Sequence, residues 1–225
     1  MTVEQPTSAG LRERKKQRTR DALLHAALKL FTTQGYERTT VDEIAETVEV
    51  SQRTFFRYFA SKEDVAFAVQ QMAEQHFMAA LHGRPDHEAP FEAMRNAVLC
   101  AWDTIGEAIM EVVPVDLYLR TFQLIESTPA LLAVHLRRSI EMEDNIARLI
   151  ADREGLDVDA DPRPRVAVAA FSGVMRITGQ LWGRGPDQSL QAIRAITETY
   201  LDQIGPALAA DWHGARRGDG DSRAE

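Results

Sequence analysis

Residues 39–65 read TTVDEIAETVEVSQRTFFRYFASKEDV, and their spacing decides the fold. Thr40 followed three positions later by Glu43 is a capping box, which starts a helix at Val41. With Val41 as the first position, Ile44 and Ala45 face a partner helix, and the small Ala45 lets two backbones cross steeply. Val48 and Val50 flank a turn, Ser51 can cap a second helix, and Phe55 closes that helix's inner face. Small in the first helix, apolar on both sides of the turn and apolar inside the second is the pattern of a helix-turn-helix. The turn calls for glycine near position 49. The chain has Glu49, which costs on the order of 1 kcal/mol if its backbone is left-handed.

Neighbours one turn apart sort the second helix. Phe55 and Phe59 pair and point inward, while Arg53 pairs with Arg57 and Thr54 with Tyr58 on other faces. Gln52 lies at the N-terminal end, where a recognition helix meets base edges. Arginine and glutamine can grip guanine and adenine with two hydrogen bonds. Hydroxyls and helix N-terminal amides suit phosphates.

Outward from this stretch, helical periodicity dominates. Leu23, Ala27, Leu30 and Phe31 form one stripe that stops at Gly35. Ser61 and Asp64 start a fourth helix. HGRPDHEAP (82–90) is a turn-rich break and reads as the edge between two lobes. Phe91, Met94, Val98, Trp102, Ile105 and Ile109 share a stripe ended by Pro114, and Pro129 opens a long helix. The last two helices cover about 165–182 and 189–209, and the polar residues 211–225 read as a disordered tail. No segment alternates as a strand does. The expectation is an all-α protein of about nine helices.

Charge divides the chain. Residues 1–62 hold 11 Lys/Arg against 8 Asp/Glu, whereas 63–225 hold 15 against 26. The basic excess peaks in RERKKQRTR (12–20), so one segment is suited to a polyanion and the rest is not. One cysteine, Cys100, rules out an intrachain disulfide and fits a reducing cytoplasm. The N-terminus does not read as a signal peptide, and no apolar run is long enough to span a bilayer. No phosphate loop, nucleophile elbow or paired-carboxylate motif proposes an enzyme or a cofactor. His76, His82 and His87 lack the accompanying ligands of a metal site.

Residues 18–66, with ALKLFTTQGYERTTV running into the motif and SKED following it, resemble the signature of the tetracycline-repressor (TetR) family of transcriptional regulators. The resemblance implies a three-helix helix-turn-helix DNA-binding domain at 18–62, preceded by a basic arm at 1–17. It also implies a ligand-binding and dimerisation domain at 63–210, paired with a second copy through the last two helices. A ligand-released repressor of a palindromic operator is the function so implied. DNA-contacting candidates are Thr40, Ser51, Gln52, Arg53, Thr54, Phe56, Arg57, Tyr58 and Lys62, the last resembling the family's phosphate-contacting lysine. Two departures stand out: Glu49 replaces the usual turn glycine, and Phe56 and Tyr58 replace the usual tyrosine and histidine. Trp102, Met110, Phe122, Met142, Phe171 and Met175 could line a cavity for a small apolar ligand, or could be plain core. A second reading keeps the helical lobe as a docking module for a protein partner, with DNA binding secondary.

Overall fold

The computed structural model describes residues 8–209, with side chains other than those of residues 8–10 and 105–111. The tail expected at 211–225 and the side chain of Met110 lie outside the described residues. Among the described residues the structure has eleven helical segments and no strand.

The first helix, α1 (Ser8–Gln34), begins well before its apolar stripe. The arm expected at 1–17 is therefore helical from Ser8 onward. Residues 11–17 are strong helix formers, and side-chain pairs along the surface support the helix: Lys16 to Glu13 at 3.3 Å and Gln17 to Asp21 at 2.8 Å. The helix stops where Gly35 takes φ +94°. Three short helices follow: α2 (Val41–Thr47), α3 (Gln52–Phe56) and α4 (Lys62–Ala66).

The second lobe contains α5 (Ala68–His82), α6 (Pro90–Val112), α7 (Val115–Ser127), α8 (Pro129–Glu154), α9 (Arg163–Arg184), α10 (Leu190–Asp202) and α11 (Ile204–Ala209). Two expected helices are each broken once, which turns nine into eleven. Residues 65–69 are all buried, more than the single stripe a straight amphipathic helix can hide. The break at Phe67 (φ −97°, ψ 0°) swings the buried face between α4 and α5. At Gln203 the cause is Pro206, whose ring cannot coexist with a helical carbonyl at Asp202.

The turn at 82–90 is a connection within the second lobe rather than an edge between lobes, since α5 and α6 pack against each other on either side of it. A tight helical hairpin and a domain linker have the same composition. Here Arg153 of α8 pins the turn, donating to the carbonyls of Arg84 (3.0 Å), Glu88 (3.3 Å) and Pro85.

The core does not divide with the lobes. One cluster joins Leu23, Leu24, Leu28, Phe31, Ile44, Phe55 and Phe59 of the N-terminal helices to Val113, Leu117, Ile125 and Leu131 beyond them. A second links α5, α6, α8 and α9 through Phe77, Met94, Val98, Ile146, Ile150 and Phe171. A third gathers Leu119, Trp182 and Ile193. Trp102 packs against all three.

Candidate nucleic-acid interface

The helix-turn-helix is built from local bonds that the sequence encodes. Thr40 accepts from the Glu43 amide at 3.2 Å, and the Glu43 carboxylate accepts from the Thr40 amide at 2.8 Å. That backbone bond, with the Thr40 hydroxyl, holds the Glu43 carboxyl below its ordinary range. At the other end of α2 the Val50 amide bonds Ala45 O at 3.0 Å and the Glu49 amide bonds Glu46 O at 3.0 Å. These two bonds form a Schellman motif, which needs a left-handed residue between them. Glu49 supplies it at φ +55°, the sole non-glycine with positive φ among the described residues. Ala45 and Phe55 are buried where the two helices cross.

The face left open on α3 is chemically mixed. Ser51 caps the helix, accepting from the Thr54 amide at 3.2 Å, and its hydroxyl lies 3.0 Å from that of Thr54. Gln52, Arg53 and Arg57 are exposed, and Phe56 is half exposed. Arg57 donates to the Tyr58 hydroxyl at 3.1 Å and lies over its ring, so these two side chains act as one unit. Phe55 and Phe59 are buried, as their spacing predicts. Arg20, one of the basic residues of the first helix, stacks on Phe59 at 5.2 Å. Residues 11–18 of α1, including Arg12, Arg14, Lys15, Lys16 and Arg18, are exposed.

Lys62, expected to contact phosphate, is tied to the backbone of its own chain by two bonds. Its ammonium donates to Thr39 O at 2.8 Å and Tyr36 O at 3.1 Å, and lies 4.4 Å from the centre of the Tyr36 ring. Two of its three donors thus bind the α1–α2 connection to α4. Beside it, the buried Tyr36 donates to the Glu63 carboxylate at 2.5 Å. Burial and that carboxylate raise the Tyr36 pKa. Burial works to raise Glu63 as well, but the bonds from Tyr36, its own amide and Ser61 prevail and lower it.

The five apolar ligand candidates whose side chains are described, Trp102, Phe122, Met142, Phe171 and Met175, are not brought to one cavity. Phe171 stacks on Phe77 at 5.5 Å inside the second core cluster, with Met142 and Met175 packed against that cluster. Phe122 lies over Gly179 and Gly183 of α9, at an open depression shared with Gln123, Glu126 and Gln180. Trp102 carries a different signal: its buried indole N–H has no hydrogen-bond partner among the described residues.

A half-buried polar group between α5, α7 and α8 is absent from the sequence reading. Gln70 meets His135 at 3.3 Å, and His135 and Arg138 both lie against the Phe67 ring. Burial raises the Glu74 carboxyl against the pull of Arg138, and lowers His135. Burial and the Glu74 charge push the Tyr118 hydroxyl up to about 12. The sequence carried a cue: Gln70 and Glu74 share the helical stripe of the buried Phe77 and Leu81, and His135 and Arg138 share that of Leu131 and Ile146.

Comparison with known proteins agrees with this architecture. Residues 23–69 match the family model of bacterial regulatory proteins of the tetR family, and residues 88–209 match that of the MftR C-terminal domain. The chain is 47% identical over 211 residues to the HTH-type transcriptional regulator TcmR of Streptomyces glaucescens, covering 94% of this chain and 93% of TcmR. A transcriptional regulator from Aquifex aeolicus VF5 superposes with a TM-score of 0.54 at 13% identity, over 83% of this chain and 99% of that one. SmeT, solved in complex with triclosan, gives 0.54 at 18% identity, over 85% and 91%. With both lobes matched and a relative this similar along nearly its whole length, the chain belongs to the tetR family of bacterial regulatory proteins and is a helix-turn-helix transcriptional regulator.

Proposed function

We propose that the protein is a repressor that binds a palindromic operator as a dimer, inserting α3 of each copy into the major groove, and is released by a small molecule held in the second lobe. The observation that carries the DNA part is the open face of α3. Gln52, Arg53, Phe56 and Arg57 project from a helix whose other side is locked into the core by Phe55 and Phe59. Ser51, Thr54 and Tyr58 supply hydroxyls for phosphates at its rim, as Thr40 does at the start of α2. Lys62 serves as a strut that fixes the module.

Dimerisation through α9 and α10 is supported by an outward line on α9: Val166, Ala170, Gly173, Ile177 and Leu181. Three of these are large apolar side chains open to solvent, as are Tyr200 of α10 and Leu208 of α11. A Cβ added at Gly173 would meet nothing within 4 Å, so nothing in the chain itself calls for glycine in mid-helix. Close approach of a second copy's helix supplies a reason. A two-fold pair places two recognition helices on two half-sites.

The ligand in this reading is largely apolar with at least one hydrogen-bond acceptor, because Trp102 holds a buried donor that none of the described residues meets. SmeT, of the same fold, is seen with triclosan bound. Release requires the ligand to bind more tightly to a state whose recognition helices are wrongly placed.

The test is selection of bound duplexes from a random pool by the purified protein, followed by binding of the selected duplex across a salt series. A palindromic site, bound much more weakly by the Arg53→Ala/Tyr58→Ala double variant with a smaller salt slope, is the expected result. Unchanged affinity and slope in that variant would remove α3 from the interface. For release, candidate ligands are titrated into the operator complex; a broad set that never alters DNA affinity ends the inducer reading.

A further inference from the structure

Phe56 occupies an odd place for a phenylalanine. Its ring is 50% exposed in the middle of the surface that carries Gln52, Arg53 and Arg57. Among the described residues between 12 and 135 it is the one large apolar side chain counted as exposed. It is not free to fold back into the core. The fully buried Phe55 ring meets it edge-on, at 5.4 Å and 89° between planes, and Phe59 fills the remaining inner space against Phe55 at 5.7 Å. Gln52 stands one turn before it on the same helix, and Arg53 three residues before.

Consider what such a ring can meet in a major groove. Phosphate oxygens, and the nitrogens and oxygens of base edges, are polar, and covering them with a phenyl strips water without giving a hydrogen bond in return. The C5 methyl of thymine is the apolar group that the groove displays. A side chain without a hydroxyl therefore discriminates by this methyl, favouring thymine and disfavouring a polar edge at the same place.

We infer that Phe56 is a specificity-determining residue that reads a thymine methyl in each operator half-site, beside the polar readout by Gln52 and Arg53. The inference rests on the reading that α3 enters the major groove. It assigns to Phe56 a base-edge contact rather than a backbone one, and gives the substitution of an aromatic hydroxyl by hydrogen at this position a functional consequence.

The probe is the selected operator duplex with thymine replaced by deoxyuridine, one symmetric pair of positions at a time, which deletes the methyl and nothing else. Binding is measured for the wild-type protein, Phe56→Ala and Phe56→Leu, at one salt concentration. Burying one methyl against the ring corresponds to about fourfold in affinity per half-site, or about fifteenfold for a symmetric pair. The expected result is one symmetric pair at which uracil weakens the wild type by about that factor, a Phe56→Ala protein that binds the two duplexes equally, and a Phe56→Leu protein that keeps part of the discrimination. The half-exposed position makes both variants compatible with the fold, and their melting temperatures check this. A selected duplex with no methyl-dependent position, or a Phe56→Ala protein that keeps the wild-type ratio, overturns the assignment while leaving DNA reading by α3 intact. A protein that selects no duplex overturns both.

Discussion

Glu49→Gly should stabilise the protein. Glu49 sits at φ +55° between the two Schellman bonds that end α2. A residue with a Cβ pays about 1–2 kcal/mol in that conformation. Glycine removes this strain but gives back about 0.4–1 kcal/mol through the greater freedom of the unfolded chain. The exposed carboxylate also lies at the negative end of the α2 dipole, so its removal adds a few tenths of a kcal/mol. The net gain is about 1 kcal/mol, or a rise of roughly 2–4 °C in melting temperature for a chain of this size. Thermal unfolding by far-ultraviolet circular dichroism, at one protein concentration, measures it. Glu49→Ala is the necessary companion, since it removes the charge and keeps the Cβ, and should recover only the electrostatic part. If Glu49→Gly melts no higher than Glu49→Ala, the backbone at 49 is not a source of strain and the reasoning fails.

Three further perturbations test other parts of the structure. Lys62→Met should lower stability by about 1–3 kcal/mol, because two carbonyls lose their donor, and should weaken operator binding with the salt slope unchanged; a slope smaller by about one per protomer would return Lys62 to the phosphates. Tyr36→Phe should cost about 1–2 kcal/mol at neutral pH. Because the Glu63 pKa is lowered on folding, that stability is present above the ordinary glutamate range and is lost as pH falls below that range through the lowered folded value, so the melting temperature of the variant should fall less on acidification than that of the wild type; parallel curves would show that the bond does not stabilise the carboxylate. Gly173→Leu should split the dimer in sedimentation velocity while leaving helix content intact, whereas a purely monomeric role predicts about 1 kcal/mol of added helix stability and no change in assembly.

What was legible in the sequence was what local chemistry decides. Thr40 with Glu43, Ser51 before α3, Gly35 after α1 and Pro129 at the start of α8 each act within a few residues, and each stands where its spacing puts it. The start of α1 was not legible from periodicity, because residues 11–18 bury no stripe and are supported by surface pairs. The contacts of Lys62 within the chain were out of reach for another reason. Its partners are carbonyls 23 and 26 residues earlier, and a motif specifies a lysine without specifying what its ammonium meets. The ligand candidates suffered from the same gap. Helical spacing says that Phe171 and Met175 face inward, but not that Phe77 waits opposite Phe171. On α9 the structure leaves Val166, Ile177 and Leu181 open to solvent, which helical spacing alone does not reveal.

The shared core bears on how the two lobes influence each other. Leu117, Ile125 and Leu131 of α7 and α8 pack in one cluster with α1 and α4, and Phe67, at the α4–α5 break, lies against His135 and Arg138 of α8. Interiors at crystal-like density have no slack to absorb a shift of α7 or α8 by the width of a side chain. Such a shift must move α1 and α4 or open a void at about 24 cal/mol per Å³ of residual cavity. The strut from Lys62 ties α4 to the α1–α2 connection, and Arg20 of α1 stacks on Phe59 just beyond the recognition helix. The second lobe and the helix-turn-helix are thus joined by packed side chains and hydrogen bonds, so a proposed ligand-driven shift has a contiguous route from α7 and α8 to the N-terminal helices.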